Sequence, residues 1–140
     1  MAFRSHYPAF SRSMKPAELK LRLIAGAFTV HRLDPEMAIP DGVLDSSPWF
    51  MAQTDDELSI VCRSSIAIEH ATSEVGWACF MVVGPLDFSL TGILSRLSAV
   101  LASERISIFA VSTFDTDYIL VKETDLPRAQ KVLESAGYAF

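Results

Sequence analysis

Cysteine is scarce in this chain: two residues in 140, Cys62 and Cys79, each inside an apolar run and with no CxxC spacing. That excludes a disulfide-dense scaffold or a zinc ribbon. Buried, reduced thiols are the preferred reading, a Cys62–Cys79 disulfide the lesser one, and the pattern fits a reducing cytosol. Histidine is nearly as rare. His6, His31 and His70 have no carboxylate or cysteine close in sequence, so nothing suggests a metal site or a nucleophile–base pair. Phosphate-binding glycine loops and the GxSxG elbow are absent, leaving no residue set that recommends an enzyme or calls for a cofactor. Basic charge is in deficit, 12 Lys and Arg against 17 Asp and Glu for a net charge of −5. Nucleic-acid binding wants the opposite balance. Long apolar runs are missing too: Leu23–Val30 and Trp77–Leu86 fall short of the roughly 20 residues of a membrane span.

What is present is apolar content. Half of the chain is hydrophobic and its mean hydropathy is +0.28, enough for a sizeable core and for an oligomer surface besides. The first seventeen residues differ in kind: Arg4, Arg12 and Lys15 are interleaved with Ser5, Ser11 and Ser13, and no acidic residue precedes Glu18. An organelle presequence has this composition, but a flexible N-terminal tail over 1–17 is the preferred reading. Met14 is an alternative start that would remove residues 1–13.

Alternating apolar and polar residues predict a strand at Leu19–Leu23, with Gly26 breaking or bulging the chain before a second strand at Phe28–Leu33. Asp34 to Pro48 carries three prolines and an Asp41-Gly42 turn signal, which leave little room for a long helix. Strands follow at Trp49–Gln53 and Leu58–Arg63, while Ser64–Glu74 reads as either a short helix or a linker. In the second half, Trp77–Val83, Ile106–Ser112 and Tyr118–Lys122 read as strands. Leu90, Ile93, Leu94, Leu97, Val100 and Leu101 trace one helix face. Asp125 is the expected cap of a last helix, with Leu126, Ala129, Leu133 and Ala136 inward, Gly137 ending it, and Tyr138 to Phe140 starting a final strand. The halves echo each other. Trp49–Arg63 aligns with Phe109–Glu123 at an offset of sixty, and Leu19–Gly26 with Trp77–Gly84. We read a duplicated βαββαβ unit whose first copy has lost helix.

Two polar turns punctuate the apolar run from Gly84 to Glu123: Gly84-Pro85-Leu86-Asp87-Phe88-Ser89-Leu90-Thr91-Gly92, which opens a helix, and Ser112-Thr113-Phe114-Asp115-Thr116-Asp117, which joins two strands. Together with the flanking Ile93-Leu94 and Tyr118-Ile119-Leu120-Val121-Lys122, they resemble the signatures of a tandem ACT-domain family. That family holds small bacterial proteins and the cytosolic arginine sensors of animals. The likeness is strong over Trp77 to Tyr138 and looser over the first half. It implies an α+β fold of two tandem ferredoxin-like βαββαβ (ACT) units with antiparallel sheets, the first unit poor in helix. Residues 18–74 would form the degenerate first unit and 75–140 the second, with the sheets side by side. The resemblance also implies an amino-acid effector site at a unit interface, using the loop before the first helix, with the family's loop glycine falling on Gly92.

The residue types suit that role. A helix N-terminus presents unpaired N–H groups to an α-carboxylate, and Gly92 allows close approach to the backbone before Ile93. Asp87, Asp115 and Asp117 offer carboxylates to an ammonium or basic side chain. Ser89, Thr91 and Thr113 bring hydroxyls, Phe88 and Phe114 are candidate ligand walls, and Leu90 and Thr116 complete the candidate set. Each residue also has a plainer reading: Asp87 or Ser89 as a helix cap, Asp115 and Asp117 as turn formers, Gly92 as a packing residue, Phe88 and Phe114 as core plugs. The expectation is a cytoplasmic, non-catalytic sensor, paired as a homodimer, binding an amino acid such as arginine, with no nucleic-acid or membrane partner and no metal. The alternative is a ligand-free assembly module using the sheet edge left open by a missing last strand.

Overall fold

The computed structural model describes residues 19–84 and 92–140. The tail expected over 1–17 therefore lies outside the described residues, as does the presequence alternative. Six strands form a single antiparallel sheet: β1 (Leu21–Leu33), β2 (Phe50–Gln53), β3 (Leu58–Arg63), β4 (Thr72–Val82), β5 (Ile108–Ser112) and β6 (Asp117–Lys122), in the order β2-β3-β1-β4-β6-β5. Helices α1 (Ile93–Ser103) and α2 (Leu126–Ser135) both belong to the second half; among the described residues the first has one short 3-10 turn, at Val43–Asp45. An antiparallel sheet with few helices matches the ferredoxin-like expectation.

The two strands expected at the start are one. β1 runs through Gly26, whose φ of 95° is open only to a residue without a Cβ. A register shift between Ile24 and Phe28 marks the bulge. Arg63 fills the gap, donating to the Ala25 carbonyl at 2.6 Å and to that of Ser47 at 3.2 Å. β4 begins earlier than expected, because the exposed Thr72-Ser73-Glu74 segment ladders onto Arg32, His31 and Val30 of β1. The ambiguous Ser64–Glu74 stretch is thus turn followed by strand, and the expected boundary at 74/75 falls inside β4.

The same ladder is built twice. Phe28 pairs with Arg63 and Phe50 with Val61; in the second half Trp77 pairs with Lys122 and Phe109 with Leu120. The Arg63 guanidinium lies 5.2 Å from the centre of the Phe28 ring, and the Lys122 ammonium 4.5 Å from that of Trp77. This register corrects the sequence alignment in two places. The β2–β3 hairpin matches β5–β6 one position short of sixty, and the partner of Trp77–Val82 is Phe28–Leu33 rather than Leu19–Gly26. Aligning apolar runs passes over the bulge, which lets two segments of one strand look like two strands.

The core follows the sheet faces. Phe80, Val82, Ile119 and Val121 pack under α1 and α2, against Ile93, Leu97, Leu101, Ala129 and Leu133. Removing a fully buried side chain such as Leu97 costs about 2–5 kcal/mol. Ala136, expected inward, is exposed at the C-cap of α2. The opposite face carries Phe28, Val61, Trp77, Cys79 and Leu120. It curls until Phe50 of β2 meets Tyr118 of β6, ring centres 4.9 Å apart. Cys62 belongs to a third cluster with Leu33, Val43, Leu58 and Ile60, separate from Cys79, and both thiols are free and buried. Burial pushes Cys79 up to about 12, against the pull of Arg63. Such a thiol stays protonated and unreactive.

The last strand is a single bridge. Ala139 meets Lys20 in parallel, and the Leu21 N–H donates to the Ala139 carbonyl at 2.7 Å. The place beside β4 that a fourth strand would fill is held by β1. Among the described residues the open edges are therefore β2 and β5, a correction to the edge expected from the short C-terminus.

His31 is 5% exposed, with Nδ1 2.7 Å from the Ser73 hydroxyl and Nε2 lacking a partner among the described residues. Burial lowers its pKa. A lowered base favours the neutral imidazole in the folded state. Its contribution is therefore complete above the unfolded value of about 6.5 and is lost as pH falls from there toward the folded value. Urea midpoints of the wild type should fall over that window, and the fall should be shallower in His31→Gln. Identical slopes would show that His31 is not the group responsible.

Candidate functional site

The turn between β5 and β6 is built by its own residues. Thr113 donates its N–H and its hydroxyl to the Thr116 carbonyl at 2.8 and 2.9 Å, and its Oγ1 accepts the Thr116 N–H at 3.3 Å. The Ser112 hydroxyl donates to Asp117 Oδ1 at 2.6 Å, which fixes that carboxylate and leaves its other oxygen without a partner among the described residues. Asp115 is exposed and Phe114 is 80% exposed, so Phe114 is not a core plug. The buried Thr116 hydroxyl donates to the carbonyl of Val82, the last residue of β4. This bond fastens the acidic turn beside the point where the chain leaves the sheet toward α1.

At the other end of that connection, Gly92 is the N-cap of α1 with φ 78° and ψ 2°. No side chain caps the helix among the described residues. The N-cap position is held by Gly92, whose left-handed backbone ends the helix there; Asp87 and Ser89, expected as caps, lie outside the described residues. A Cβ at Gly92 would meet nothing within 4 Å, so glycine is required by the backbone and not by packing. Ile93 is buried and anchors the first turn. Asp87, Phe88, Ser89, Leu90 and Thr91 lie outside the described residues. The structure therefore brings Thr113–Asp117 to the end of β4 and places Gly92 and Ile93 at the start of α1.

The first half contains the same turn with different surroundings. The Thr54 N–H donates to the Glu57 carbonyl at 2.9 Å, and Thr54 Oγ1 accepts the Glu57 N–H at 3.2 Å. Here Gln53 Nε2 donates to the Pro35 carbonyl at 2.7 Å, and Arg32 joins Glu57 at 3.5 Å and the Asp56 carbonyl at 3.1 Å. Its acidity is partly neutralised locally. Sequence reading gave His31 no partner because Ser73 stands on another strand, 42 residues away. Among the described residues no group of His, Cys, Asp or Glu could hold a metal ion, and no helix is long and apolar enough to cross a membrane.

The ACT-domain family model matches residues 72–135, the stretch from β4 through α2. Protein Atu0741 from Agobacterium tumefaciens, a solved structure, is 36% identical, with a TM-score of 0.80 over 86% of this chain and 90% of that one. The chain belongs to the ACT-domain family. The human protein CASTOR3P is 27% identical over 93 residues, which are 66% of this chain and 54% of that one. The match thus spans about half the length of this curated relative. The ligand-free regulatory subunit of aspartate kinase from Thermus thermophilus shares the fold, with a TM-score of 0.59 at 10% identity over 83% of this chain and 96% of that one. In ACT terms, β4 is the first strand, α1 the first helix, β5 and β6 the central hairpin, and α2 the second helix.

Two substitutions test this geometry. Thr116→Val leaves the Val82 carbonyl without its donor and should cost about 1–3 kcal/mol in denaturant unfolding, with Thr116→Ser close to wild type. Gly92→Ala should cost about 1–2 kcal/mol for holding a Cβ in the left-handed region. A neutral Gly92→Ala would mean the helix start relaxes freely.

Proposed function

We propose that the chain is a non-catalytic regulatory module that binds a small amino acid beside the Thr113–Asp117 turn and the start of α1. The observation that carries this reading is the bond from Thr116 to the Val82 carbonyl, which fastens an acidic turn to the end of β4, in a chain whose next helix starts at a glycine N-cap. An amino acid is a dipole of matching polarity. Its α-carboxylate suits the N–H groups that open α1, and its ammonium or basic side chain suits Asp115 and the second oxygen of Asp117. Residues 87–91 complete the expected ligand set with Gly92, Ile93 and Thr113–Asp117. Arginine is the first candidate, because a guanidinium can engage two carboxylates at once.

The repeated ladder supports reading residues 18–74 and 75–140 as tandem ACT-like units, with the site in the second. Effector binding would then report through the geometry between units or between copies of a homodimer. It can do so only by favouring one arrangement over another. The apolar content suits such a dimer, and two buried thiols suit a reducing cytoplasm. That solved structures sharing the fold include a protein named as a regulatory subunit supports the non-catalytic assignment.

Thermal-shift and calorimetric titration with each proteinogenic amino acid at millimolar concentration tests the reading. One class of amino acid should raise the melting temperature and bind once per chain. Asp115→Asn should weaken it by about tenfold, a loss of about 1.4 kcal/mol, whereas Asp55→Asn in the first-half turn should not. Silence from every amino acid would remove the proposal.

A further inference from the structure

The two edges of the sheet are unusual in what they lack. β2 is Phe-Met-Ala-Gln and β5 is Ile-Phe-Ala-Val-Ser; neither holds a charge or a proline. Edge strands of monomeric proteins are ordinarily blunted by such residues, since an uncharged edge is a template for another strand. These edges are also close together. The curl that brings Phe50 onto Tyr118 leaves a cleft of about 300 Å³ between them, lined by Phe50, Ala52, Val61, Phe109 and Val111 among others. Except for buried Val61, these residues are exposed or half-buried.

Carboxylates stand at both ends of the cleft, joined at the β2 end by Arg32, which is already paired with Glu57. With every neighbouring pair antiparallel across the sheet, β2 and β5 run in opposite directions. The turn that follows β2, with Asp55 and Asp56, therefore lies at one end of the cleft. The turn that follows β5, with Asp115 and Asp117, lies at the other. Four cations of the strands lie on this sheet face, Arg22 and Arg32 on β1, Arg63 on β3 and Lys122 on β6, and each is committed: Arg22 to the Met81 sulfur, and Arg32 to Glu57 and the Asp56 carbonyl. Arg63 is bonded to the Ala25 and Ser47 carbonyls over the Phe28 ring, and Lys122 to Glu74 and the Val75 carbonyl over the Trp77 ring.

We infer that this cleft is a docking groove for an extended peptide with an apolar centre and basic ends. The peptide adds as a strand to the open edge of β5. Alternate side chains enter the cleft against Phe50, Val61 and Phe109, and flanking Lys or Arg residues reach the acidic turns. Backbone pairing supplies affinity and the end charges supply selectivity. The groove lies on the face opposite the helices and shares only Asp115 and Asp117 with the amino-acid reading; Ala52→Arg touches the groove alone, so each can fail alone.

The test uses the full chain and two labelled synthetic peptides. Both have a core of alternating valine and threonine; one is flanked by lysines and the other by glutamates. Fluorescence anisotropy should show the lysine-flanked peptide binding, its affinity falling with added salt. The glutamate-flanked peptide should bind at least about tenfold more weakly. Ala52→Arg places a cation and extra bulk in the cleft at an exposed position, so binding should be lost while the melting temperature holds. Ala52→Ser should keep both. Equal affinity for the two peptides, or full binding by Ala52→Arg, would overturn the proposal. So would sedimentation showing a dimer that Ala52→Arg dissociates without any peptide binding, which would assign the cleft to a second copy of the chain.

Discussion

The antiparallel pairing of β1 with β4 is the constraint from which the remaining architecture follows. Phe28 faces Trp77 at the middle of that pair, and each half of the sheet grows outward from it through β3 or β6 and then β2 or β5. Because β1 lies beside β4, the slot of a fourth ACT strand is already filled. The C-terminal residues need make only one bridge, to Lys20. The sheet is left with two outer strands whose free edges curl toward each other. The bulge at Gly26 lets one strand of thirteen residues serve both halves despite the twist between them.

A shared ladder makes the differences between its two copies informative. Each hairpin turn is closed by a threonine whose backbone and Oγ bond the residue three positions on, so that part of the pattern is architectural. What differs is the company each turn keeps. In the first half Arg32 meets Glu57, and Gln53 bonds across to Pro35. In the second, Thr116 reaches inward to the end of β4, and Asp115 faces solvent. Among the described residues the first half has no α-helix, and so no helix N-terminal N–H groups. This is why we assign the ligand to the second half alone.

Much of the second half was legible in the sequence, because its signals are local. Helical spacing from Ile93 to Leu101, β-branched runs at Ile108 and Tyr118, Asp125 before Leu126, and Gly137 after the last turn each depend on near neighbours. The first half was read less well where distant partners decide the outcome. Thr72-Ser73-Glu74 has no strand signature, and it is strand because β1 is long enough to pair with it. His31 owes its partner to the same pairing. For the site, the sequence identified the glycine at the helix start and the acidic turn. It could not show that Thr116 fastens the acidic turn to the end of β4, since Val82 is 34 residues away. Nor could strand periodicity reveal which edges would be open, because that depends on the order of strands in the sheet.

The central claim is that an amino acid binds where the Thr116–Val82 bond joins the acidic turn to the chain leading into α1. Amide hydrogen exchange, followed by mass spectrometry with and without millimolar arginine, measures this directly. The account predicts slowed exchange in peptides covering 92–96 and 113–117, with no change at 35–36 or 54–57. Protection confined to the first-half turn, or no protection anywhere for arginine or any other amino acid, would contradict it.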